Sequence, residues 1–416
     1  MALRREKLVE SVAKKLDLTV AEAQALATAG RALSPISALR SEVLDGDTAE
    51  VEDESTLISC VMSPGGVWRI TVADAIGLIV VGDLQLITTP KIPPSHLFYL
   101  FAEAELIPRI APSEASAAAG TDLWQLVCRW LVEAAERVLR RDLARDYLPI
   151  RDRLEVARGQ IDALASGEEF YRGSLHLVCD FEEFGEDTEL NRVLRAALIT
   201  VASSTEAASP TRRRAMATAA RMYGVGPLRS QDMRVQLDRR TAHYRDALLL
   251  SRAVLANIRR ALVFGDDIAW SFLIRTPDLV EEGIRKILRS SLGEPWNVRK
   301  RTIPLTGAGM SVAPDLIFGA GHAVGDVKYK RTTAKWRRPD LYEVTTFAVA
   351  ADTPRAAIIG FRVEDDPPAP PVVTVGETEI RFFAWDAREG VAPEVAAAKL
   401  VSSVQAWLGA VPALGL

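Results

Sequence analysis

Short runs of apolar and β-branched residues, separated by turn residues, dominate the chain between residues 57 and 88. Three of them, Leu57–Val61, Val67–Ile70 and Gly77–Val81, are bounded by glycine, proline or aspartate. Runs of this length and composition are typical of strands joined by tight turns. The pattern predicts a small β-rich module. Before it, residues 5–29 carry leucines and valines at mixed helical spacing, which predicts a helix, and the acidic stretch 42–54 is predicted to be a solvated connection.

A helical pattern replaces the β-rich pattern in the middle of the chain. Residues 96–107 are predicted to form a helix, and the small-residue stretch 112–120 is the best linker candidate in the N-terminal half. From residue 123 to 147, apolar residues recur every three or four positions, which is typical of a long amphipathic helix. Further helices are predicted over 188–201, 209–222 and 241–263.

The C-terminal part alternates between the two patterns. A helix is predicted over 277–290, strands around 302, over 313–318 and over 323–329, a second helix over 339–350, and further strands over 356–361 and 379–385. This order indicates a mixed α/β domain. The predicted fold is α+β and multidomain, with a β-rich partner-binding module at 1–120, a helical middle region at 121–264 and an α/β domain at 265–416.

The composition indicates a globular protein without a membrane segment. The 416 residues are 48% hydrophobic and 25% charged, as is usual for folded domains. Apolar runs stay below the roughly 18 residues that a membrane span needs, so a cytoplasmic protein is expected. Cys60, Cys128 and Cys179 are far apart and form no CxxC pair, which argues against a disulfide framework and against a zinc site.

The net charge of −4 conceals one strongly basic segment. Between Trp296 and Arg338 nine Lys and Arg residues face only Asp315 and Asp326, so we expect this segment to bind a phosphate backbone. A GxxxxGK[ST] phosphate loop is absent from the sequence, and the chain alone is therefore not expected to bind or hydrolyse a nucleotide.

Two predicted strands within the basic segment carry acidic residues and a lysine. Asp326 and Lys328 are two positions apart on one strand and so point to the same face, and Asp315 on the preceding strand can meet Asp326 across the hairpin. Two carboxylates and an ammonium form a hard-oxygen site suited to Mg²⁺, with Mn²⁺ as a substitute, and the lysine can orient or help to deprotonate an attacking water. Charged residues protecting a strand edge are the structural alternative.

The order Pro314-Asp315, Asp326-Val327-Lys328 resembles the PD-(D/E)xK nuclease signature. Such nucleases place a further acidic ligand on a preceding helix, where this chain has Glu281 and the adjacent Glu282. Glu281 is assigned as that ligand, although helix phase leaves the choice between the two open. A following helix often carries a glutamine where this chain has Glu343, and the role of Glu343 stays open.

Several further motifs resemble, in order, the McrC family over residues 55–360. They are GLIVVGDLQLITTPKIPPSHLFYL from Gly77, Tyr147, RGQI at 158–161, CDFEEF at 179–184, DTELNR at 187–192, PDLIF and GDVKYK. The resemblance implies the endonuclease subunit of a GTP-dependent, type IV restriction system that cleaves DNA containing modified cytosine and so defends against viruses. It also implies that the chain binds and stimulates an AAA+ GTPase of the McrB type and acts on double-stranded DNA. Dimerisation through the nuclease domain is a further expectation.

Two alternatives remain at this point. A stand-alone PD-(D/E)xK repair or recombination nuclease would cut DNA without a GTPase partner. A non-cleaving adaptor would only stimulate a partner NTPase, and its acidic cluster would be vestigial. A neighbouring AAA+ GTPase gene would argue against the first, and metal-dependent cleavage would exclude the second.

Overall fold

The computed structural model describes residues 4–32, 57–64, 66–108, 123–262, 268–305, 307 and 309–409. The described residues form two compact units. The first combines the residues up to 124 with those from 257 onward, and the second comprises residues 125–256. The structure therefore places the expected N-terminal module and the expected C-terminal domain in the same unit.

The first unit begins with strands and short helices from the N-terminal part of the chain. These elements are β1 (Arg4–Val9), β2 (Lys14–Leu16), α1 (Val20–Ala32), β3 (Ile58–Met62), β4 (Trp68–Val72), β5 (Ala75–Val81), β6 (Leu84–Thr89) and α2 (Pro94–Glu103). Strands β2, β4 and β3 form a small antiparallel sheet in that order. The predicted β-rich module is present.

The second unit contains helices and one three-stranded sheet. Its elements are α3 (Leu123–Arg140), β7 (Asp146–Leu154), β8 (Gln160–Ile161), α4 (Ala163–Tyr171), β9 (Leu177–Gly185), α5 (Glu189–Ser203), α6 (Ser209–Ala220) and α7 (Arg245–Asn257). Strands β7 and β8 both pair with β9 in antiparallel orientation. The expected helical middle region is therefore wrong for residues 146–161 and 177–185, where pairing partners 18 to 39 residues apart form a sheet.

The C-terminal part of the first unit contains a mixed sheet flanked by helices. Its elements are β10 (Ile258–Leu262), β11 (Ile268–Arg275), α8 (Pro277–Leu292), β12 (Ile303–Leu305), β13 (Met310–Val312), β14 (Leu316–Phe318), β15 (Ala323–Arg331), α9 (Arg338–Ala350), β16 (Arg355–Arg362), β17 (Val373–Val375), β18 (Thr378–Asp386) and α10 (Pro393–Gly409). The mixed sheet has the order β14-β15-β16-β18-β17, with β15, β16 and β18 parallel to one another. Helix α9 packs on one face, with Val344 and Ala348 against Ile358 and Ile380.

A second five-stranded sheet contains strands from the N-terminal part of the chain and strands from residues 258–275. Its order is β1-β6-β5-β11-β10, so β11 from the C-terminal part pairs directly with β5 from the N-terminal part. Helix α8 follows β11 and packs closely on α2, since a Cβ at Gly283 would lie 2.5 Å from the carbonyl oxygen of Leu100. Within the first unit, the N-terminal strands are therefore connected to the C-terminal part by strand pairing and by helix packing.

Two predicted helices are wrong because long-range pairing overrides the local pattern. Residues 5–29 form β1, β2 and α1 and not one helix, and β1 is stabilised by parallel pairing with β6 some eighty residues away. The helix predicted over 241–263 ends at Asn257, where β10 begins and pairs with β11. Strand preference depends on such partners more than on the segment itself. The predicted linker at 112–120 and the acidic stretch at 42–54 lie outside the described residues.

Candidate active site

The hairpin formed by β14 and β15 brings Asp315 and Asp326 together. The antiparallel register pairs Leu316 with Gly325, so Asp315 stands opposite Asp326 one position further along. Asp315 Oδ2 accepts a hydrogen bond of 3.0 Å from the backbone amide of Val327. Both aspartates are buried, with 6% and 3% of their surface exposed. The hairpin therefore holds two carboxylates side by side away from bulk water.

Lys328 lies on the same face of β15 as Asp326. Its Nζ is 2.8 Å from Asp326 Oδ2 and 2.7 Å from Glu343 Oε2 on α9. Asp326 Oδ2 is buried, and the Lys328 ammonium is its partner. Glu343, whose role the sequence left open, therefore fixes the position of the lysine from the helix side.

Helix α8 presents Glu281 to this cluster and turns Glu282 away from it. Lys300 Nζ lies 3.5 Å from Glu281 Oε2 and 2.9 Å from Asp315 Oδ1, so it bridges the two carboxylates. Glu282 instead pairs with Arg285 and, at 3.7 Å, with Lys286 on its own helix. Of the two adjacent glutamates, Glu281 is the one near Asp315.

Electrostatics in the cluster favour additional positive charge. Burial, and then the charge of Asp315, raise the pKa of Glu281 to about 9. The same two causes raise the pKa of Asp326 to about 7. Burial also opposes ionisation of Asp315, but the Lys300 ammonium and the Val327 amide outweigh it and lower the pKa of Asp315. Crowded buried carboxylates of this kind are stabilised by a proton or by a bound cation.

Lys300 is the residue whose place the sequence did not predict. It was assigned with Arg299 and Arg301 to a phosphate-binding segment, and the structure places its ammonium between two acidic side chains. Burial opposes the charge of Lys300, but Asp315 and Glu281 outweigh that effect and raise the pKa of its ammonium. Its position in a run of three basic residues gave no signal of this contact.

The carboxylates fit a hard divalent cation by their chemistry, although they are not arranged as a closed metal cage. Within the described ranges, no group of three Asp, Glu, His or Cys side chains surrounds a common point. In this cluster Lys300 Nζ occupies the space between Glu281 and Asp315. The two buried aspartates supply hard oxygens, and burial together with the charge of Asp315 raises the pKa of Asp326, so a cation that shares these oxygens would relieve their repulsion.

A basic cleft adjoins Lys328 on the same face of the sheet. The residues that line it include Lys330, Lys335, Trp336, Arg337, Gly360 and Phe382. Two of the nearby cations are paired, Lys330 with Asp340 at 2.8 Å and Arg331 with Asp366 at 2.8 Å. The cleft therefore combines positive charge with an aromatic ring next to the candidate catalytic lysine.

A known protein family matches most of this chain. The family described as "McrBC 5-methylcytosine restriction system component" matches residues 70–359, which is more than half of the chain. The chain belongs to this McrBC family. The matched range extends from the N-terminal strands through both aspartates, Lys328 and β16.

One solved structure shows the same fold at low sequence identity. It is the refined half-complex from a tetradecameric assembly of Thermococcus gammatolerans McrB AAA+ hexamers with bound McrC. It matches with a TM-score of 0.64 and 16% identity, and the match covers 97% of this chain and 100% of that chain. The cryo-EM structure of the Thermococcus gammatolerans McrBC complex matches with a TM-score of 0.43 and 16% identity, over 70% of this chain and 88% of that one. No curated protein matches the sequence.

Among the helices that the structure describes, none is both long enough and apolar enough to cross a bilayer.

Proposed function

We propose that this McrBC-family chain is a magnesium-dependent endodeoxyribonuclease, with its C-terminal sheet forming a PD-(D/E)xK active site. The observation that carries the proposal is the contact of Asp326 with Lys328 at 2.8 Å beside the buried Asp315. The order of elements, a helix with Glu281, a hairpin with both aspartates and the lysine, and a helix with Glu343, supports it. A strand edge protected by charges would expose these side chains, whereas both aspartates are buried.

Each residue of the cluster has a role in phosphodiester hydrolysis. Asp315 and Asp326 would hold Mg²⁺, and Glu281 would complete the acidic set once the Lys300 ammonium moves aside. The bound cation would supply Lewis-acid stabilisation of the charge that develops on the phosphate. Lys328 would orient the attacking water and, as a cation, stabilise the hydroxide, because burial opposes its charge but Asp326 and Glu343 outweigh burial and raise the pKa of its ammonium. The proton of the water would pass to solvent, and Glu343 holds Lys328 in place.

The DNA backbone is proposed to follow the basic cleft beside Lys328. Lys335 and Arg337 are exposed there, and Arg337 precedes the first turn of α9, whose amide groups also favour a phosphate. Lys300 is engaged with carboxylates, so the contribution of residues 299–301 to DNA binding comes mainly from Arg299 and Arg301.

A partner AAA+ GTPase of the McrB type is proposed to supply energy and recognition of modified cytosine. The family description and the McrB-bound structure of similar fold support this partnership. Exposed apolar side chains in the second unit supply a surface for it, because large exposed apolar groups mark interaction sites. Those between residues 147 and 184 are Tyr147, Val156, Ile161, Leu164, Phe170, Tyr171, Leu175 and Phe184. This surface, and not the N-terminal module, is our candidate for partner binding, and the cytoplasm is the proposed compartment.

A cleavage assay with the partner tests the proposal. The chain is mixed with its McrB-type AAA+ GTPase partner, GTP and Mg²⁺, and DNA containing 5-methylcytosine is compared with unmodified DNA. Cleavage of the modified DNA that requires both GTP and Mg²⁺ is expected. Cleavage without the partner would favour a stand-alone nuclease, and GTPase stimulation without cleavage would favour an adaptor.

A further inference from the structure

A buried carboxylate outside the acidic cluster contacts both elements that carry the candidate catalytic residues. Glu10 follows β1 and has 0% of its surface exposed. Its Oε1 accepts a hydrogen bond of 2.6 Å from the hydroxyl of Tyr329, and its Oε2 accepts one of 2.6 Å from the hydroxyl of Thr276. Tyr329 is the neighbour of Lys328 on β15, and Thr276 immediately precedes α8, which carries Glu281.

The hydrogen bond from Thr276 to Glu10 takes the place of a capping hydrogen bond within α8. Threonine at a helix start normally accepts a hydrogen bond from its own first turn. Thr276 stands at the N-cap of α8, makes no such capping bond, and directs its hydroxyl to Glu10. The helix start is therefore tied to the end of β1 instead of being satisfied within the helix.

Lys91 completes the arrangement around the Glu10 carboxylate. Its backbone amide donates to Glu10 Oε1 at 3.2 Å, and its Nζ lies 4.1 Å from the centre of the Tyr329 ring. Three donors thus converge on Glu10, and a carboxylate, which only accepts hydrogen bonds when ionised, matches all three. Lys91 belongs to the Pro90-Lys91-Ile92-Pro93 segment, so these contacts account for a motif that hydrolysis itself does not use.

We propose that Glu10 is a positioning residue of the nuclease site, which sets the separation between Glu281 on α8 and the Asp326–Lys328 pair on β15. Alternate residues of a strand face opposite sides, so fixing Tyr329 from behind fixes the strand that presents Lys328 in front. Through Glu10 the N-terminal strands become part of the catalytic framework. The catalytic consequence rests on the proposed function, whereas the mechanical coupling does not.

Hydrogen–deuterium exchange of the full-length chain tests the coupling without relying on activity. Glu10→Gln presents an amide group to one of the donors, and Tyr329→Phe and Thr276→Val each remove one hydroxyl with little change of shape. Each variant is expected to lose protection in residues 276–282 and in residues 324–330 together. The matched control is Tyr244→Phe, which removes a buried hydroxyl bonded to Asn191 in the second unit. The control substitution should leave hydrogen–deuterium exchange in both segments unchanged.

Cleavage kinetics with the partner test the catalytic consequence. The Glu10→Gln and Tyr329→Phe variants should lower the single-turnover cleavage rate about 10- to 100-fold, because small misplacements of catalytic groups have effects of this size. DNA affinity should stay within twofold of the wild type. Unchanged exchange in both segments, or an unchanged rate in folded variants, would overturn the proposal. If the wild type cuts no DNA, the proposed function fails, and the exchange experiment still decides whether Glu10 couples the two elements.

Discussion

Replacing Asp326 by asparagine should stabilise the protein in the absence of metal. Asp326 is 3% exposed, and burial with Asp315 raises the pKa of its carboxyl from 3.8 to about 7. That difference corresponds to about 4 kcal/mol against the ionised form, at about 1.4 kcal/mol for each pH unit. The Lys328 ammonium already lowers this pKa, so its contact is included in that figure, and desolvation of the polar amide of asparagine at the same buried position offsets part of the gain. We expect Asp326→Asn to raise the free energy of unfolding by about 1 to 3 kcal/mol at pH 8 in chelator.

The sign of this effect depends on pH. A raised folded-state pKa means that the folded protein binds the proton more tightly than the unfolded chain. The wild type therefore loses stability as the pH rises from about 4 through about 7, and the advantage of the asparagine variant grows over that window. Below pH 4 both states carry the proton, and the two proteins should be similarly stable.

Urea denaturation with and without Mg²⁺ measures both parts of the prediction. Mg²⁺ should stabilise the wild type by an amount that grows with its concentration, because a ligand of the folded state alone has this effect. The Asp326→Asn variant should gain little. Asp365 is an exposed aspartate two positions before Pro367. The variant Asp365→Asn is therefore the matched control and should behave as the wild type. A variant less stable than the wild type at pH 8 in chelator, or one equally stabilised by Mg²⁺, would refute the reasoning.

Two substitutions and one measurement on the unchanged chain test other parts of the account. Lys300→Met should tighten Mn²⁺ binding, measured by calorimetry, about two- to tenfold, because the ammonium between Glu281 and Asp315 no longer competes with Mn²⁺. The Lys300 side chain is 45% exposed, so solvent screening limits the effect. Weaker Mn²⁺ binding would make Lys300 a supporting residue. Replacing Lys335 and Arg337 with alanine should weaken DNA binding and reduce the log–log salt slope by about two, and an unchanged slope would place the DNA elsewhere. The purified chain should bind and hydrolyse neither GTP nor ATP, and stoichiometric turnover would contradict this.

The central part of the candidate site could be predicted from sequence because it is local. The alternation of a single strand puts Asp326 and Lys328 on one face, and a short turn brings Asp315 opposite them. These relations involve no more than fourteen consecutive residues, from Asp315 to Lys328. Most of the order of helices and strands over 277–385 could be predicted for the same reason, since the longer elements have their own periodicity. The three-residue strands β13 and β17 were not predicted, because they are too short to show one.

The remaining contacts depend on elements that are distant in sequence. Glu281 and Glu282 are adjacent, and only the packing of α8 decides which of them approaches Asp315. Lys300 could not be separated from its basic neighbours by any local pattern. Glu10 meets Tyr329 across 319 positions, and the strand that ends before Glu10 was predicted to be helix. Long-range pairing thus determines both the wrong helix and the missed contact.

The most direct test of the nuclease proposal is to measure DNA cleavage and GTP hydrolysis in the same tube with Lys328→Ala. The partner GTPase, GTP, Mg²⁺ and DNA containing 5-methylcytosine are present, and the wild type is run in parallel. Cleavage should fall by about 10²- to 10³-fold, the usual effect of removing one group that stabilises developing negative charge, while stimulated GTP hydrolysis persists. Persistence is expected because the proposed partner surface lies in the second unit, away from Lys328 in sequence. Cleavage that survives the substitution in a folded variant would contradict the catalytic assignment.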